Sequence, residues 1–295
     1  MYGQLVECET ADGIRLDGFL HTPSDSARQA ASEAGLQLDV MILHHGVGGN
    51  FYQGNLYNRL CEILLQYGCA VMQVNNRGHD LVHRAASWSR ATPMNRGRMG
   101  AAYEDVLACS HDCRAWVEAA LSRGYQRIGI CGHSLGAVKS IYYMASDPHP
   151  HVTHLVALSP PRLAHEQLCA APEDPSFAQN ISLAERLVQD GQPDSLMEVT
   201  SPVPLLISAR TFLQKYGPDS PCDYLPWLHQ IRVPTLVVIG SMEAETVPAF
   251  RGMPDHLEHL QTELEHLTFA SPLGADHVYT SCREQVWNLV TNWLA

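Results

Sequence analysis

Two hydrophobic rhythms alternate along this chain. Residues 5–10 and 14–20 flank Asp12-Gly13, a strong turn pair, and predict an antiparallel hairpin. Residues 22–37 are small and polar and read as a surface loop. Val40–His44 is a short apolar run of the kind a buried parallel strand shows. Leu56, Leu60, Ile63, Leu64 and Tyr67 then recur at helical spacing, and Gly68 closes that helix. Residues 70–75 predict the next strand. Residues 103–123 predict a helix with Val106, Cys109, Cys113, Val117 and Leu121 on one face, ended by Gly124. A strand over 127–131, a helix over Leu135–Ser146 and a strand over 154–159 continue the series. After a break it resumes with a strand over 235–240, a helix over 255–264, a strand over Leu267–Ala270 and a closing helix over 282–294.

Strands that alternate with helices imply an α/β fold: a mostly parallel central sheet with helices on both faces. The break, residues 160–232, is rich in proline and holds helix-like pieces such as 183–189. It reads as a helical cap inserted into one core made of residues 1–159 and 233–295. There is no internal repeat and no low-complexity tract.

The chain has 295 residues, 45% of them hydrophobic and 17% charged, which is globular composition with apolar surface enough for a real core. Its net charge of −12 would repel a phosphate backbone or an anionic membrane, so nucleic acid is an unexpected partner. No run is long and apolar enough to predict a spanning helix, and residues 1–9 do not read as a signal peptide. The nine cysteines form no C-x-x-C pair and read as packing residues in a reducing cytosol. The oligomeric state is not legible.

Candidate chemistry concentrates at Gly132-His133-Ser134-Leu135-Gly136. This G-x-S-x-G follows a predicted strand and opens a predicted helix, the arrangement of a nucleophile elbow. Gly132 and Gly136 permit a turn too tight for side chains. The turn lifts the Ser134 hydroxyl clear of the backbone, and the helix N-terminus favours negative charge there. A serine needs a base to take its proton. His277 lies after the last predicted strand and before the last helix, where the order Ser…Asp/Glu…His requires it. Among sixteen histidines, position singles it out. Oxyanion donors are expected from the N–H of Leu135 and from the loop His44-His45-Gly46-Val47-Gly48-Gly49, with Val47 as donor and Gly46 letting the backbone turn inward. His133 reads as a packing neighbour. His256, His259 and His266 suggest a metal set, but no carboxylate–His–His spacing completes one, so a solvated helix face is expected and no metal. His149 and His151 read as loop residues. Trp88, in the 84–100 loop, is read either as pocket lining or as packing.

The H-G after the third strand, Asn76-Arg77-Gly78-His79 after the fourth, the G-H-S-L-G elbow and the late His277 together resemble the α/β-hydrolase superfamily. The resemblance covers nearly the whole chain outside 22–37 and the cap, and it specifies fold and triad but not substrate. It implies an acid in the loop after the 235–240 strand. The family usually has aspartate in that role; this chain offers Glu243, at the usual offset, with Glu245 as the alternative. Asp276 adjoins His277 too closely to face it. A serine nucleophile argues against the dehalogenase and epoxide-hydrolase branches. The expectation is a carboxylesterase acting on a small-molecule substrate, without cofactor. The same triad on an amide, thioester or carbon–carbon bond, or a small-molecule receptor on this fold, are the alternatives. Leu163, Phe177, Leu183, Leu187, Phe212, Leu213 and Tyr216 are expected either to line a pocket beneath the cap or to pack the cap on itself.

Overall fold

The computed structural model describes residues 2–34, 36–54, 56–84, 97–170, 176–218 and 222–295; Trp88 lies outside them. Eight strands form the main sheet: β1 (Tyr2–Glu9), β2 (Arg15–Thr22), β3 (Val40–His44), β4 (Ala70–Val74), β5 (Ile128–His133), β6 (Val152–Leu158), β7 (Thr235–Val238) and β8 (Leu267–Ala270). Their order is β1-β2-β4-β3-β5-β6-β7-β8. β1 and β2 form the expected antiparallel hairpin, and β2 runs antiparallel to β4. From β4 to β8 every pairing is parallel.

The central strands β3, β4 and β5 are buried at every residue because helices cover both faces. Successive side chains point to opposite faces, so Ile42, Met72 and Ile130 pack with α3 (Cys109–Leu121) and α4 (Leu135–Ser146). Met41, Val71 and Cys131 pack on the other face with α2 (Asn58–Gln66) and α11 (Arg283–Leu294). Met253, Leu257 and Leu260 of α10 (Met253–Glu263) join the first face.

Two elements depart from the sequence reading. The expected loop at 22–37 contains helix α1 (Asp25–Ala34). It lacks a wide apolar stripe but is built from good helix formers, and the Ser24 hydroxyl accepts from the Ala27 N–H at 3.2 Å as a cap would. α3 begins at Cys109 instead of 103. The Asp105 carboxylate accepts from the N–H groups of Leu107 (3.1 Å) and Ala108 (3.3 Å), a local turn that competes with helix.

Between β6 and β7 lie α5 (His165–Cys169), α6 (Ser176–Gln189), α7 (Ala209–Tyr216) and α8 (Leu225–Leu228). An antiparallel ribbon, Leu196–Val199 against Leu205–Ser208, also sits there. Burial alternates along 196–199, with Met197 and Val199 buried and Leu196 and Glu198 exposed. This segment is tied to the rest by a buried ionic link. Glu104 pairs with Lys139 on α4 and, at 2.8 Å, with Lys215 on α7. Burial alone would raise the Glu104 carboxyl, but the two ammonium groups outweigh it and bring it down to about 2. A second clip fixes the loop after β4. Arg77 grips Asp112 of α3 (2.7 Å) and Asp12 of the β1–β2 turn (2.8 Å).

Candidate functional site

The turn from β5 into α4 is set by close packing. A Cβ on Gly132 would lie 2.3 Å from the Gly136 carbonyl oxygen, and one on Gly136 would lie 2.3 Å from that of His45. Between them Ser134 sits at φ 56°, ψ −126°, a conformation that L residues rarely adopt. Its N–H donates to Leu158 of β6 at 2.9 Å, which holds the turn in place. Leu135 is the first residue of α4, so its N–H has no preceding helical carbonyl to meet. Gly46 approaches from β3's end: a Cβ there would stand 3.1 Å from the Ser134 Cβ. Val47 lines both cavities that meet at Ser134.

His277 lies in the loop between β8 and α11. The Asp276 carboxylate shapes this loop by accepting from Val278 N–H (3.2 Å) and Thr280 N–H (2.7 Å). His133 holds it from the other side, donating from Nε2 to the His277 carbonyl at 2.6 Å. Burial, aided by the nearby His277, pushes His133 down to about 3, so it stays neutral. The rings of His277 and Phe250 stand 5.5 Å apart.

Three side chains form one line. Ser134 Oγ is 3.0 Å from His277 Nε2, and His277 Nδ1 is 2.7 Å from Glu243 Oε2. Glu243 comes from the first turn of α9 (Ser241–Thr246), after β7. Its side chain is 1% exposed, against 38% for His277. Its other oxygen, Oε1, accepts from the Gly240 N–H at 2.7 Å and from the Ser159 hydroxyl. Ser159 is in turn 2.7 Å from the Tyr279 hydroxyl. Burial and the adjacent Glu243 raise the Tyr279 phenol well above its ordinary value, so it remains a donor. Glu245 is exposed on α9 and makes no bond to His277. Ser159 and Tyr279 escaped the sequence reading; the only signal was Tyr279's place two residues past His277.

The paired histidines before Gly46 have a different part. Burial, with the Lys139 charge as a smaller contribution, lowers His45 to about 3. Its Nδ1–H donates to the Gly46 carbonyl (2.7 Å) and its Nε2 accepts from the Asn76 N–H (3.1 Å). Burial likewise takes His44 down to about 4, against its bond to Asn76 Oδ1 at 2.9 Å. Both shape the loop.

Two cavities meet at Ser134 and His277. One, of about 390 Å3, is an apolar chamber lined by Leu163, Leu168, Tyr216, Val247 and Phe250, with Arg251 at its rim. The other, about 540 Å3, is a more polar groove that includes Asn50, Gln53, Gln73 and Arg283. Of the residues expected beneath the cap, Leu163 and Tyr216 line the chamber. Phe177 and Phe212 are buried in a ring cluster with Tyr216, and Leu183 is exposed. His256 and His259 face solvent, while His266 donates to the Leu228 carbonyl at 3.1 Å. No metal-binding group of three is present among the described residues, and no described helix is long and apolar enough to cross a membrane.

No protein-family model matches the chain, and no curated protein matches it. Solved structures do. The esterase Pf2001 of Pyrococcus furiosus is 18% identical, with 99% of this chain and 90% of that chain covered and a TM-score of 0.64. Est1E from Butyrivibrio proteoclasticus, with ferulic acid bound, is 15% identical over 98% of each chain, with a TM-score of 0.63. The α/β-hydrolase GrgF from Penicillium sp. sh18 is 14% identical over 100% of this chain and 98% of that chain, with a TM-score of 0.66. This likeness, with the strand order, establishes the α/β-hydrolase fold.

Proposed function

We propose that the chain is a serine hydrolase that cleaves a carboxylic ester of a small organic substrate through an acyl-enzyme on Ser134. The observation that carries this reading is the unbroken line Ser134–His277–Glu243, with its 3.0 and 2.7 Å bonds. His277 Nε2 takes the Ser134 proton as Oγ attacks the carbonyl carbon. Negative charge then moves to the carbonyl oxygen, which the N–H groups of Leu135 and Val47 receive. The tetrahedral intermediate collapses, His277 gives its proton to the leaving alcohol, and water repeats the sequence on the acyl-enzyme. Glu243 fixes the tautomer with Nδ1 protonated and stabilises the imidazolium. Residues 160–232 serve as a cap, since Leu163, Leu168 and Tyr216 close one wall of the chamber. That solved structures similar to this chain include esterases favours the ester bond over an amide or thioester. No disulfide joins the nine cysteines, which suits a reducing cytosol.

Labelling by a fluorophosphonate probe, together with turnover of p-nitrophenyl butyrate, tests the reading. We expect both in the native protein. Ser134→Ala is expected to stay folded, abolish labelling and lower kcat at least about a thousandfold. Labelling without sustained turnover would favour a receptor instead, and unchanged turnover in Ser134→Ala would remove the mechanism.

A further inference from the structure

The two cavities that meet at Ser134 differ in chemistry. The chamber walls named above are apolar apart from Arg251, which has a partner of its own, whereas the groove carries Asn50, Gln53, Gln73 and Arg283. Among the described residues no carboxylate lines the groove, in a chain that holds 31 acids against 19 lysines and arginines. The acids that border it are already engaged. Glu284, next in sequence to Arg283, pairs with Arg59 at 2.8 Å. Asp276 accepts from the Val278 and Thr280 N–H groups. Asp80 is held by Asn50 at 2.7 Å, by His79 at 3.0 Å and by Tyr52. Arg283 has no carboxylate within ion-pair reach among the described residues. Its one bond there runs from Nε to the Val278 carbonyl at 3.2 Å, which ties its base to the His277 loop. The groove's own histidines His45 and His133 are neutral, each pushed down to about 3 by burial. The Arg283 guanidinium thus faces no carboxylate of the groove among the described residues. A guanidinium presents a planar fork that matches carboxylate and phosphate oxygens.

We infer that the groove is an anion subsite in which Arg283 binds a carboxylate or phosphate on the part of the substrate that projects away from the apolar chamber. The substrate class is then a two-ended ester, apolar on one side of the scissile bond and anionic on the other. The proposal rests on the esterase reading only in calling this ligand a substrate.

Matched probes test it. 3-(Butanoyloxy)propanoate is compared with its neutral amide, and monobutyl succinate with its amide, so that the anion lies first on the alcohol side and then on the acyl side. 2-(Butanoyloxy)ethyl phosphate distinguishes phosphate from carboxylate by which gains more. We expect at least one anionic probe to exceed its neutral partner about tenfold in kcat/KM, chiefly through KM. Arg283→Gln should bring that ratio to about one, Arg283→Lys should keep part of it, and Arg283→Glu should invert it. A purely structural role, acting through the Val278 bond on the His277 loop, would lower kcat for charged and neutral probes alike and leave the ratio unchanged. That result overturns the proposal. Calorimetric binding to Ser134→Ala makes the same comparison without turnover. Tighter binding of an anionic probe, lost on adding Arg283→Glu, sustains the subsite even if hydrolysis is never seen and the esterase reading falls. Equal binding of charged and neutral probes sinks the subsite, whatever the turnover.

Discussion

At the residue scale, the length of Glu243 matters. It divides its two oxygens: Oε1 goes to Gly240 and Ser159, and Oε2 to His277. An aspartate on the same backbone is one methylene shorter and would have to choose between these tasks. Glu243→Gln removes the charge but keeps the shape, and it can place an amide N–H against Nδ1. We expect a fall in kcat of about a hundredfold to ten-thousandfold with a smaller change in KM. Glu245→Gln, on the exposed face, should stay within about twofold. Steady-state kinetics on the two variants decides, and the reverse pattern would move the acid to Glu245. The positions of Ser134 and His277 are legible in the sequence because a tight strand–turn–helix demands glycines and chain order places the base. Ser159 and Tyr279 are not. Their link to Glu243 arises only where three distant segments meet, and a hydroxyl leaves no periodic trace.

At the element scale, α4 can follow β5 so closely only because Gly136 leaves room for the His45 carbonyl. Gly136→Ala must displace backbone, and backbone does not yield as a flexible side chain would. We expect its melting temperature to drop by at least about 5 °C, or soluble protein to be lost. Gly46→Ala brings a methyl to 3.1 Å from the Ser134 Cβ and 3.6 Å from Oγ. It should lower kcat while moving the melting temperature less than Gly136→Ala does. Equal thermal effects would show that the approach of β3's end to α4 is not what limits the turn. Strands such as Val40–His44 and helices such as Leu135–Ser146 are legible because burial on one or both faces writes itself into the pattern. α1 is not, since a polar helix shares its composition with a loop. The late start of α3 is hidden for another reason: the apolar rhythm continues through Val106 while Asp105 diverts the backbone.

At the scale of the whole molecule, buried titratable groups set the response to acid. His44 is lowered to about 4, and His45 and His133 to about 3, with burial the main cause in each. Glu104 is lowered to about 2 by its lysines. In every case the unfolded chain binds the proton first as pH falls, from about 6.5 for histidine and about 4.3 for glutamate. Stability therefore rises with pH through this window: acidification from pH 7 to pH 4 erodes the histidine contributions, and that of Glu104 is lost below about pH 4.3. Thermal melts across that range should show a steady loss, made shallower in His45→Gln, whose amide can keep both hydrogen bonds without titrating. A flat profile would mean that these histidines do not stay neutral in the fold. The Glu104 link also has an evolutionary meaning. Two of its members, Glu104 and Lys139, lie in the core, and the third, Lys215, lies in the 160–232 segment. That segment is thus not a free module. A replacement from another protein of this fold that lacks a lysine at this place would leave a buried carboxylate with half its counter-charge, so changes of ligand preference in this lineage are expected to come by substitution within the segment, not by exchange of the whole.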